Sequence, residues 1–291
     1  MSHVAAEIAS QPECWSRALE LNPEGLPQPG ERVAVLGCGT SLYIAQAYAA
    51  LREESGLGET DAFAASAHPH TRRYDRVLAI TRSGTTTEVL EALHRTSGTP
   101  TTAITGDLDT PITGAADTVV DLSFADEKSV VQTRFATTTL ALLRGHLGLV
   151  ATDLPEHAAR ALRQDLPEGA VGAEQFTFLG TGWTTGLAHE AALKVREASG
   201  SWTESYPAME YRHGPVSISA PGRVVWFLGE PPAGLLAQVE ATGATAVTGS
   251  DLDPMAELIR AQRLAVALAE ARGVDPDQPR NLTRSIILAQ P

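Results

Sequence analysis

A strand–glycine–helix pattern occurs twice in this chain, and it limits the possible folds more than any other feature. The apolar run Arg32–Leu36 leads into a loop that starts at Gly37, and Phe176–Leu179 leads into a second loop that starts at Gly180. A helical pattern with an Ala-rich face follows each loop. The two glycines are 143 residues apart, which is close to half of the 291 residues. This spacing predicts an internal duplication.

The first half continues as an alternation of short strands and helices. Further strands are predicted at Asp61–Ser66, Val77–Ile80, Thr101–Thr105 and Asp117–Leu122. Such alternation with short loops is typical of a parallel, doubly wound sheet. A helix is predicted from about Thr133 to Val150, and Leu154–Leu166 is interpreted as a connector.

The pattern then starts again, and Val224–Leu228 is predicted to be the third strand of the second half. The fold expected from the whole pattern is α/β, with two doubly wound parallel-sheet domains in tandem. The first domain is predicted to span residues 1–153 and the second residues 154–291.

The stretch Thr81–Glu88 lies between the apolar run Val77–Ile80 and an amphipathic helical pattern. Small hydroxyl residues flank Gly84, which allows a ligand to approach the backbone closely. Free N–H groups at a helix start bind anions, most often phosphate. A helix N-terminus capped by Ser or Thr, without a ligand, is the alternative interpretation. In parallel sheets ligands bind beyond the carboxyl ends of the strands, where this loop and the Gly37 loop both lie.

Composition excludes several classes of function. The net charge is −13 and no Lys/Arg cluster offsets it, so no nucleic-acid partner is expected. Apolar runs are too short to span a membrane and the N-terminus does not resemble an export signal, so no membrane partner is expected. Two cysteines, Cys14 and Cys38, do not make a disulfide framework. The chain is therefore expected to be cytoplasmic.

Other motifs give weak signals. Gly180-Thr181-Gly182 with Gly186 has the spacing of a dinucleotide loop, but no acid clearly follows the next strand. His68 and His70 lack Cys or His companions, so a metal site is not expected. Cys38 is interpreted as a small packed residue rather than a nucleophile. No cofactor or metal is predicted.

The second half carries the titratable residues of interest. Glu190, Lys194 and Glu197 are spaced to share one face of a helix that is otherwise rich in Ala and Leu. A solvated, salt-bridged helix face is the ordinary outcome of such spacing. Downstream, the segment Trp202–Pro215 is dense in aromatic and titratable residues without a clean period, and it contains His213. It is interpreted as a loop that forms a site rather than as a core element.

Together these segments resemble the tandem sugar-isomerase (SIS) domain proteins. The chain is similar to the isomerase half of glucosamine-6-phosphate synthase and to stand-alone amino-sugar phosphate deaminase/isomerases. The resemblance covers nearly the whole chain, and the segments that carry it are Gly37–Ser41, Ser83–Thr86 with Glu88, Glu127–Thr133, Glu190–Glu197, Glu210–Pro215 and Asp277–Ser285.

This resemblance implies roles for particular residues. Glu197 would move a proton between C1 and C2 of the sugar, with Lys194 beside it. His213 would open the sugar ring and would come from a neighbouring subunit, so a homodimer with shared active sites is expected. The sugar would contact Val130 and Gln132. The residues that would hold the phosphate are Thr40, Ser41, Thr81, Arg82, Ser83 and Thr86, and the tail around Thr283 and Arg284 would close over the substrate.

The expected function is aldose–ketose isomerisation, deamination, or both, of an amino-sugar 6-phosphate, which would be the small-molecule partner. Ser2 follows Met1 where a synthase has its nucleophilic cysteine, so the activity is expected to be independent of glutamine. Arg284 stands where synthases carry lysine, and Gln132 and Arg82 also differ from the commonest residues of the family at their positions. The resemblance therefore does not identify the sugar. The alternatives are a deglycase that acts on a phosphorylated sugar–amine adduct and a sugar-phosphate-binding protein without catalysis.

Overall fold

The computed structural model describes residues 2–96, 98–248 and 251–288. The chain divides into two compact units that are not contiguous in sequence. The five-stranded unit contains residues 13–128, 134–151 and the tail from residue 283, and the four-stranded unit contains residues up to 12, 129–133 and 152–282. The predicted division at residue 153 and the tandem arrangement stay predictions.

Every strand pairing in the five-stranded unit is parallel, and the strand order is β2-β1-β3-β4-β5. All residues of β1 and β4 are buried, as expected for strands covered on both faces. The strands are β1 (Val33–Gly37), β2 (Thr60–Ala64), β3 (Arg76–Thr81), β4 (Thr101–Thr105) and β5 (Thr118–Asp121).

The four-stranded unit has the parallel order β7-β6-β8-β9, which is the order of the first four strands of the other sheet. Its strands are β6 (Gln175–Gly180), β7 (Trp202–Pro207), β8 (Arg223–Leu228) and β9 (Thr245–Val247). The predicted α/β class with parallel sheets is thereby confirmed. The shared strand order supports the proposed duplication.

In both units α-helices alternate with most of the strands along the chain. The helices are α1 (His3–Ala9), α2 (Gln11–Leu19), α3 (Thr40–Glu54), α4 (Thr87–Arg95), α5 (Ile112–Ala115), α6 (Arg134–His146), α7 (Leu154–Ala161), α8 (Thr184–Ser199), α9 (Leu235–Glu240) and α10 (Pro254–Ala271). Among the described residues, no helix combines the length and the apolar character needed to cross a membrane.

The repeated glycines make the same turn in both units. A Cβ atom on Gly37 would lie 2.4 Å from the backbone carbon of Ser41, in the first turn of α3. A Cβ atom on Gly180 would lie 2.2 Å from the backbone oxygen of Thr184, at the start of α8. Each strand can therefore pass directly into its helix only because the residue at this position has no side chain.

One prediction about the second half is wrong, and another is wrong for part of its segment. The expected connector Leu154–Leu166 contains α7, which buries Leu154, Ala158 and Ala161. The expected loop Trp202–Pro215 begins with β7, which pairs with β6 along its whole length. As an edge strand β7 is only partly covered, so its side chains lack the continuous apolar pattern of a central strand.

Candidate functional site

Two loops of the five-stranded unit supply hydroxyl groups at the carboxyl edge of its sheet. Thr40 and Ser41 begin α3 directly after β1, and both are buried. Thr81, Arg82 and Ser83 follow from the end of β3 and are also buried. Because the strands are parallel, both loops leave the sheet at the same edge.

The loop after β3 turns sharply at Gly84, which has φ +62. A Cβ atom there would lie 2.0 Å from Oγ1 of Thr110, so the position requires glycine on both counts. The turn folds the hydroxyls of the loop toward one another. Oγ of Ser83 accepts hydrogen bonds from the backbone N–H and the hydroxyl of Thr85, at 3.3 and 3.2 Å. We call Thr40, Ser41, Thr81, Arg82, Ser83 and Thr86 the phosphate cradle, after their predicted role.

The C-terminal tail lies on this loop. The hydroxyl of Ser285 is 3.1, 3.0 and 3.4 Å from the hydroxyls of Ser83, Thr85 and Thr86. The first N–H of α4, from Thr87, donates to the carbonyl oxygen of Ile286 at 3.2 Å. The tail thus uses the hydroxyls and the helix N-terminus that would serve a bound phosphate.

Two arginines fix this arrangement. Arg82 is almost fully buried and donates to the backbone oxygen of Arg284 at 3.0 Å. Its guanidinium lies 4.0 Å from the buried carboxylate of Glu127. One Nη atom of Arg284 lies 2.6 and 2.8 Å from the two carboxylate oxygens of Asp126, and the other donates to the carbonyl of Glu127. Thr283, the neighbouring tail residue, donates to the carbonyl of Ser285 at 2.9 Å.

In the four-stranded unit, α8 brings three charged side chains together. Lys194 is buried, and its Nζ lies 2.5 Å from Oε2 of Glu197 and 3.6 Å from Oε1 of Glu190. Burial of an ammonium group requires paired anions. Glu190 is completely buried, whereas the side chain of Glu197 keeps 19% of its surface exposed. Glu197 is therefore the member of this cluster that a small molecule can reach.

A cavity of about 460 Å³ opens beside Glu197. The end of α8 supplies part of its lining, and the segment from Arg280 to Leu282 supplies another part. Asn281 in this segment has φ +62, in the left-handed region that Asn tolerates better than most residues. The volume falls within the range of small-molecule sites.

His213 ends a short 3-10 helix, Glu210–His213, and its side chain is exposed. Within the described chain it makes no hydrogen bond or ion pair with Glu197 or Lys194. The structure therefore brings Lys194 and Glu197 together but leaves His213 apart from them.

Val130 and Gln132 lie in the segment 129–133, which belongs to the four-stranded unit. Glu7 of α1 anchors this segment, because its buried carboxylate accepts hydrogen bonds from the backbone N–H and the hydroxyl of Ser129. The side-chain oxygen of Gln132 is buried without a hydrogen-bond partner in the described chain. An amide oxygen in that state can accept a hydrogen bond from a ligand.

Cys38, in the loop after β1, is half-buried. Burial raises the pKa of its thiol, and the nearby carboxylate of Glu88 raises that pKa further. Both effects disfavour the thiolate, which is the reactive form. Cys38 therefore has the character of a packed residue.

The sequence patterns do not assign several residues that the structure places in these clusters. Glu190 carries a visible signal, since it is spaced by four residues from Lys194. Glu7 and Asp126 have no local signal, because their partners are 122 and 158 residues away in sequence. Ser285 ends the segment Asp277–Ser285, but no local pattern marks its contact with Thr85, which is 200 residues away.

A comparison with models of protein families finds no match for this chain. Among curated proteins, it is similar to the isomerizing glutamine–fructose-6-phosphate aminotransferases of two archaea. It is 27% identical to that of Sulfurisphaera tokodaii over 293 residues, which covers 88% of this chain and 50% of the relative. It is 29% identical to that of Aeropyrum pernix over 348 residues, which covers 96% of this chain and 56% of the relative. The chain thus spans about half the length of these relatives.

Solved structures show the same fold. Glucosamine-6-phosphate deaminase from Thermotoga maritima has a TM-score of 0.82 at 24% identity, with 99% of this chain and 100% of that chain covered. The C-terminal domain of glucosamine-fructose-6-phosphate aminotransferase from Francisella tularensis has a TM-score of 0.82 at 21% identity. The match covers 96% of this chain and 99% of that chain. Tagatose-6-phosphate ketose/aldose isomerase from Escherichia coli has a TM-score of 0.77 at 18% identity. The match covers 99% of this chain and 97% of that chain.

Proposed function

We propose that this protein interconverts the aldose and ketose forms of an amino-sugar 6-phosphate, with or without release of ammonia, and without glutamine. The observation that carries this proposal is the α8 cluster, in which a reachable carboxylate is paired with a buried ammonium group. The similar proteins are named as enzymes of fructose 6-phosphate, glucosamine 6-phosphate or tagatose 6-phosphate.

Isomerisation needs a group that removes a proton from C2 and returns it to C1. Glu197 fits this role because one of its carboxylate oxygens is paired with Lys194 and its side chain faces a cavity. A carboxylate within reach of the reacting carbon can act first as base and then as acid. Removal of the proton leaves an enediol or enolamine with negative charge on oxygen, which the ammonium group of Lys194 stabilises electrostatically.

Glu190 supports this chemistry by pairing with Lys194 in the protein interior. With Glu190 completely buried at 3.6 Å, Lys194 keeps a neutralising partner while Glu197 exchanges its proton with substrate. A buried ammonium group without such a partner would lose its charge easily. We therefore assign Glu190 as a positioning residue for Lys194.

The cradle would bind the 6-phosphate through hydroxyls and the N-terminus of α4. In a chain of net charge −13, local donors rather than the overall field must attract the phosphate. Since Ser285 and Ile286 use those donors, binding would require the tail to leave the loop. The tail would then be free to contact the substrate from another position.

We further propose a homodimer in which His213 serves the neighbouring subunit. Trp202 is 71% exposed and Met209 48% exposed on the segment that leads to His213. Exposed large apolar side chains in one segment are typical of a surface covered by a partner. A histidine that opens the sugar ring would then reach the substrate from outside its own chain.

A panel of amino-sugar 6-phosphates tests the proposal. Each compound is incubated with the protein alone, and both ketose phosphate and ammonia are measured. We expect a keto product from at least one amino-sugar 6-phosphate. A ketose phosphate formed with one equivalent of ammonia shows deamination, whereas a keto product that keeps its nitrogen shows isomerisation alone. No turnover of any member, together with saturable binding of one of them, would instead indicate a binding protein without catalysis.

A further inference from the structure

A second cavity lies in the five-stranded unit, away from the phosphate cradle. Its volume is about 320 Å³, and it is lined by the connection between β2 and β3 and by the C-terminal end of α4. Val77, near the start of β3, is part of its wall. The cradle residue Thr81 ends the same strand, four residues after Val77, which corresponds to roughly 13 Å along the strand. The two places are therefore at opposite edges of the sheet.

The lining of this cavity is basic. Three arginines and two histidines contribute to it, and none of its described lining residues is Asp or Glu. The residues are His68, His70, Arg72, Arg73 and Arg95. In a chain of net charge −13, three guanidinium groups around one cavity form a local arrangement of positive charge that suits an anion.

Local structure explains two of the arginines. Arg72 pairs with Asp61 at 3.2 Å. Arg95 pairs with Glu91 at 2.9 Å and lies in the last turn of α4, where a cation interacts favourably with the helix dipole. The side chains of both pairs are about half-exposed, so each salt bridge contributes little to stability. Either arginine can therefore exchange its carboxylate partner for another anion. Arg73 differs from these two arginines, because it is exposed and makes no ion pair within the described chain.

His68 is the second unexplained residue. It is 7% exposed, and both ring nitrogens are buried without a hydrogen-bond partner in the described chain. Its surroundings are aromatic, since ring centroids of Phe63, Tyr74 and His70 lie 5.7, 6.1 and 5.3 Å away. Burial lowers the pKa of His68, and His70 lowers it further, so the ring is held neutral. A buried polar group without a partner is costly and calls for an explanation.

A metal ion does not account for this cluster. In the described ranges 2–96, 98–248 and 251–288, no three His, Cys, Asp or Glu side chains are placed to hold a metal ion together. The guanidinium of Arg95 also approaches Nε2 of His70 at 3.4 Å. Because a guanidinium can only donate, it uses the lone pair that a metal would need.

We propose that this cavity binds a small phosphorylated metabolite through its phosphate group. Arg73 and Arg95 pair with the phosphate oxygens, because the guanidinium fork matches their geometry. The imidazole of His68 gains in the bound state the hydrogen-bond partner that it lacks in the free protein. A dianionic phosphate matches three guanidinium groups better than a singly charged carboxylate does. This site is independent of the proposed catalytic function.

Methyl phosphate is a suitable probe, and the ring signals of ¹⁵N-labelled histidine are a suitable readout. The cradle contains no histidine, so a shift of the His68 signal reports on the cavity alone. His68→Phe assigns that signal by its disappearance. We expect a saturable shift of the His68 signal with methyl phosphate and with inorganic phosphate, and a weaker effect of acetate.

Arg73→Ala tests the proposed contact, and Arg163→Ala is its matched control. Arg163 is also exposed, lies in the other unit, and changes the net charge by the same amount. We expect the Kd of methyl phosphate, read from His68, to rise about tenfold or more in Arg73→Ala and to stay unchanged in Arg163→Ala. Equal Kd values in these two variants would overturn the proposal.

Two other outcomes also count against it. Absence of a saturable His68 shift in the wild type would show that the cavity binds no phosphate. Binding of inorganic phosphate without methyl phosphate, or binding of acetate as tightly as methyl phosphate, would show that the ligand is not a phosphorylated metabolite.

Discussion

Two serine hydroxyls in the phosphate cradle region have opposite expected effects on phosphate binding. Ser83→Ala removes a hydroxyl proposed to bind phosphate, which costs about 1.5–3 kcal/mol for a charge-assisted hydrogen bond. Ser285→Ala removes a tail hydroxyl that occupies the same loop, with three hydroxyls within 3.4 Å. Phosphate then competes with a weaker occupant.

Titration calorimetry with fructose 6-phosphate measures both effects. We expect weaker binding in Ser83→Ala and binding up to about tenfold tighter in Ser285→Ala, since neutral hydrogen bonds contribute about 0.5–1.5 kcal/mol. Thr113→Ala, an exposed hydroxyl on α5, serves as the control. A loss of affinity in both serine variants would mean that the tail does not compete with phosphate.

At the scale of single residues, local spacing is informative and long-range pairing is not. The intervals between Glu190, Lys194 and Glu197 are enough to predict one shared helix face. Their burial could not be predicted, because it depends on which helices pack against α8. The hydrogen bonds of Glu7 to Ser129 and of Ser285 to Ser83 join distant parts of the chain, and no local pattern marks them.

Among the secondary-structure elements, the glycine turns after β1 and β6 offer the most direct test of the fold. Gly37→Ala and Gly180→Ala each place a Cβ atom within 2.4 Å of the backbone of the following helix. The backbone must shift to relieve this overlap, so we expect each variant to lose about 1–3 kcal/mol of unfolding free energy. Urea denaturation measures the loss.

Gly114→Ala is the matched control for both variants. Gly114 lies in α5, and an added Cβ atom there would meet nothing within 4 Å. Ala is favoured over Gly in a helix, so this variant should gain about 0.5–1 kcal/mol. If Gly37→Ala and Gly180→Ala behave like Gly114→Ala, the close approach of strand and helix is not what these glycines provide.

The elements that the sequence predicts well are those with strong local patterns. β4 is predicted with its observed bounds, and β1 and β3 are predicted within one residue of theirs. β1 and β3 are mostly apolar runs, as is usual for buried parallel strands, whereas β4 is marked by its β-branched residues, three threonines and one isoleucine. α7 and β7 are missed for physical reasons. α7 has only eight residues, and β7 is an edge strand with only partly buried side chains.

On the scale of the whole molecule, the proposed dimer predicts complementation between two inactive variants. If each site takes Glu197 from one chain and His213 from the other, a heterodimer of Glu197→Gln and His213→Ala has one doubly altered site and one intact site. With random exchange of subunits, up to about a quarter of wild-type activity should return. Activity is measured after mixing the two inactive proteins under conditions that allow exchange.

Subunit exchange itself must be verified, for example by fluorescence transfer between labelled subunits. No recovery of activity despite exchange would show that Glu197 and His213 belong to the same chain's site, or that His213 acts elsewhere. His94→Ala, which alters another exposed histidine, is the control that should remain active before mixing.

The proposed chemistry rests on a proton transferred by Glu197, and exchange of hydrogen with solvent measures this transfer directly. The amino-sugar 6-phosphate that is turned over is incubated in D₂O, and deuterium at C1 and C2 is followed by NMR. Glu197→Gln keeps the shape of the side chain and removes its ability to accept a proton. Glu240→Gln, an exposed residue of α9, makes the same change elsewhere. We predict that exchange falls at least about a hundredfold in Glu197→Gln and is unchanged in Glu240→Gln. Undiminished exchange in Glu197→Gln would contradict the proposed role of this residue.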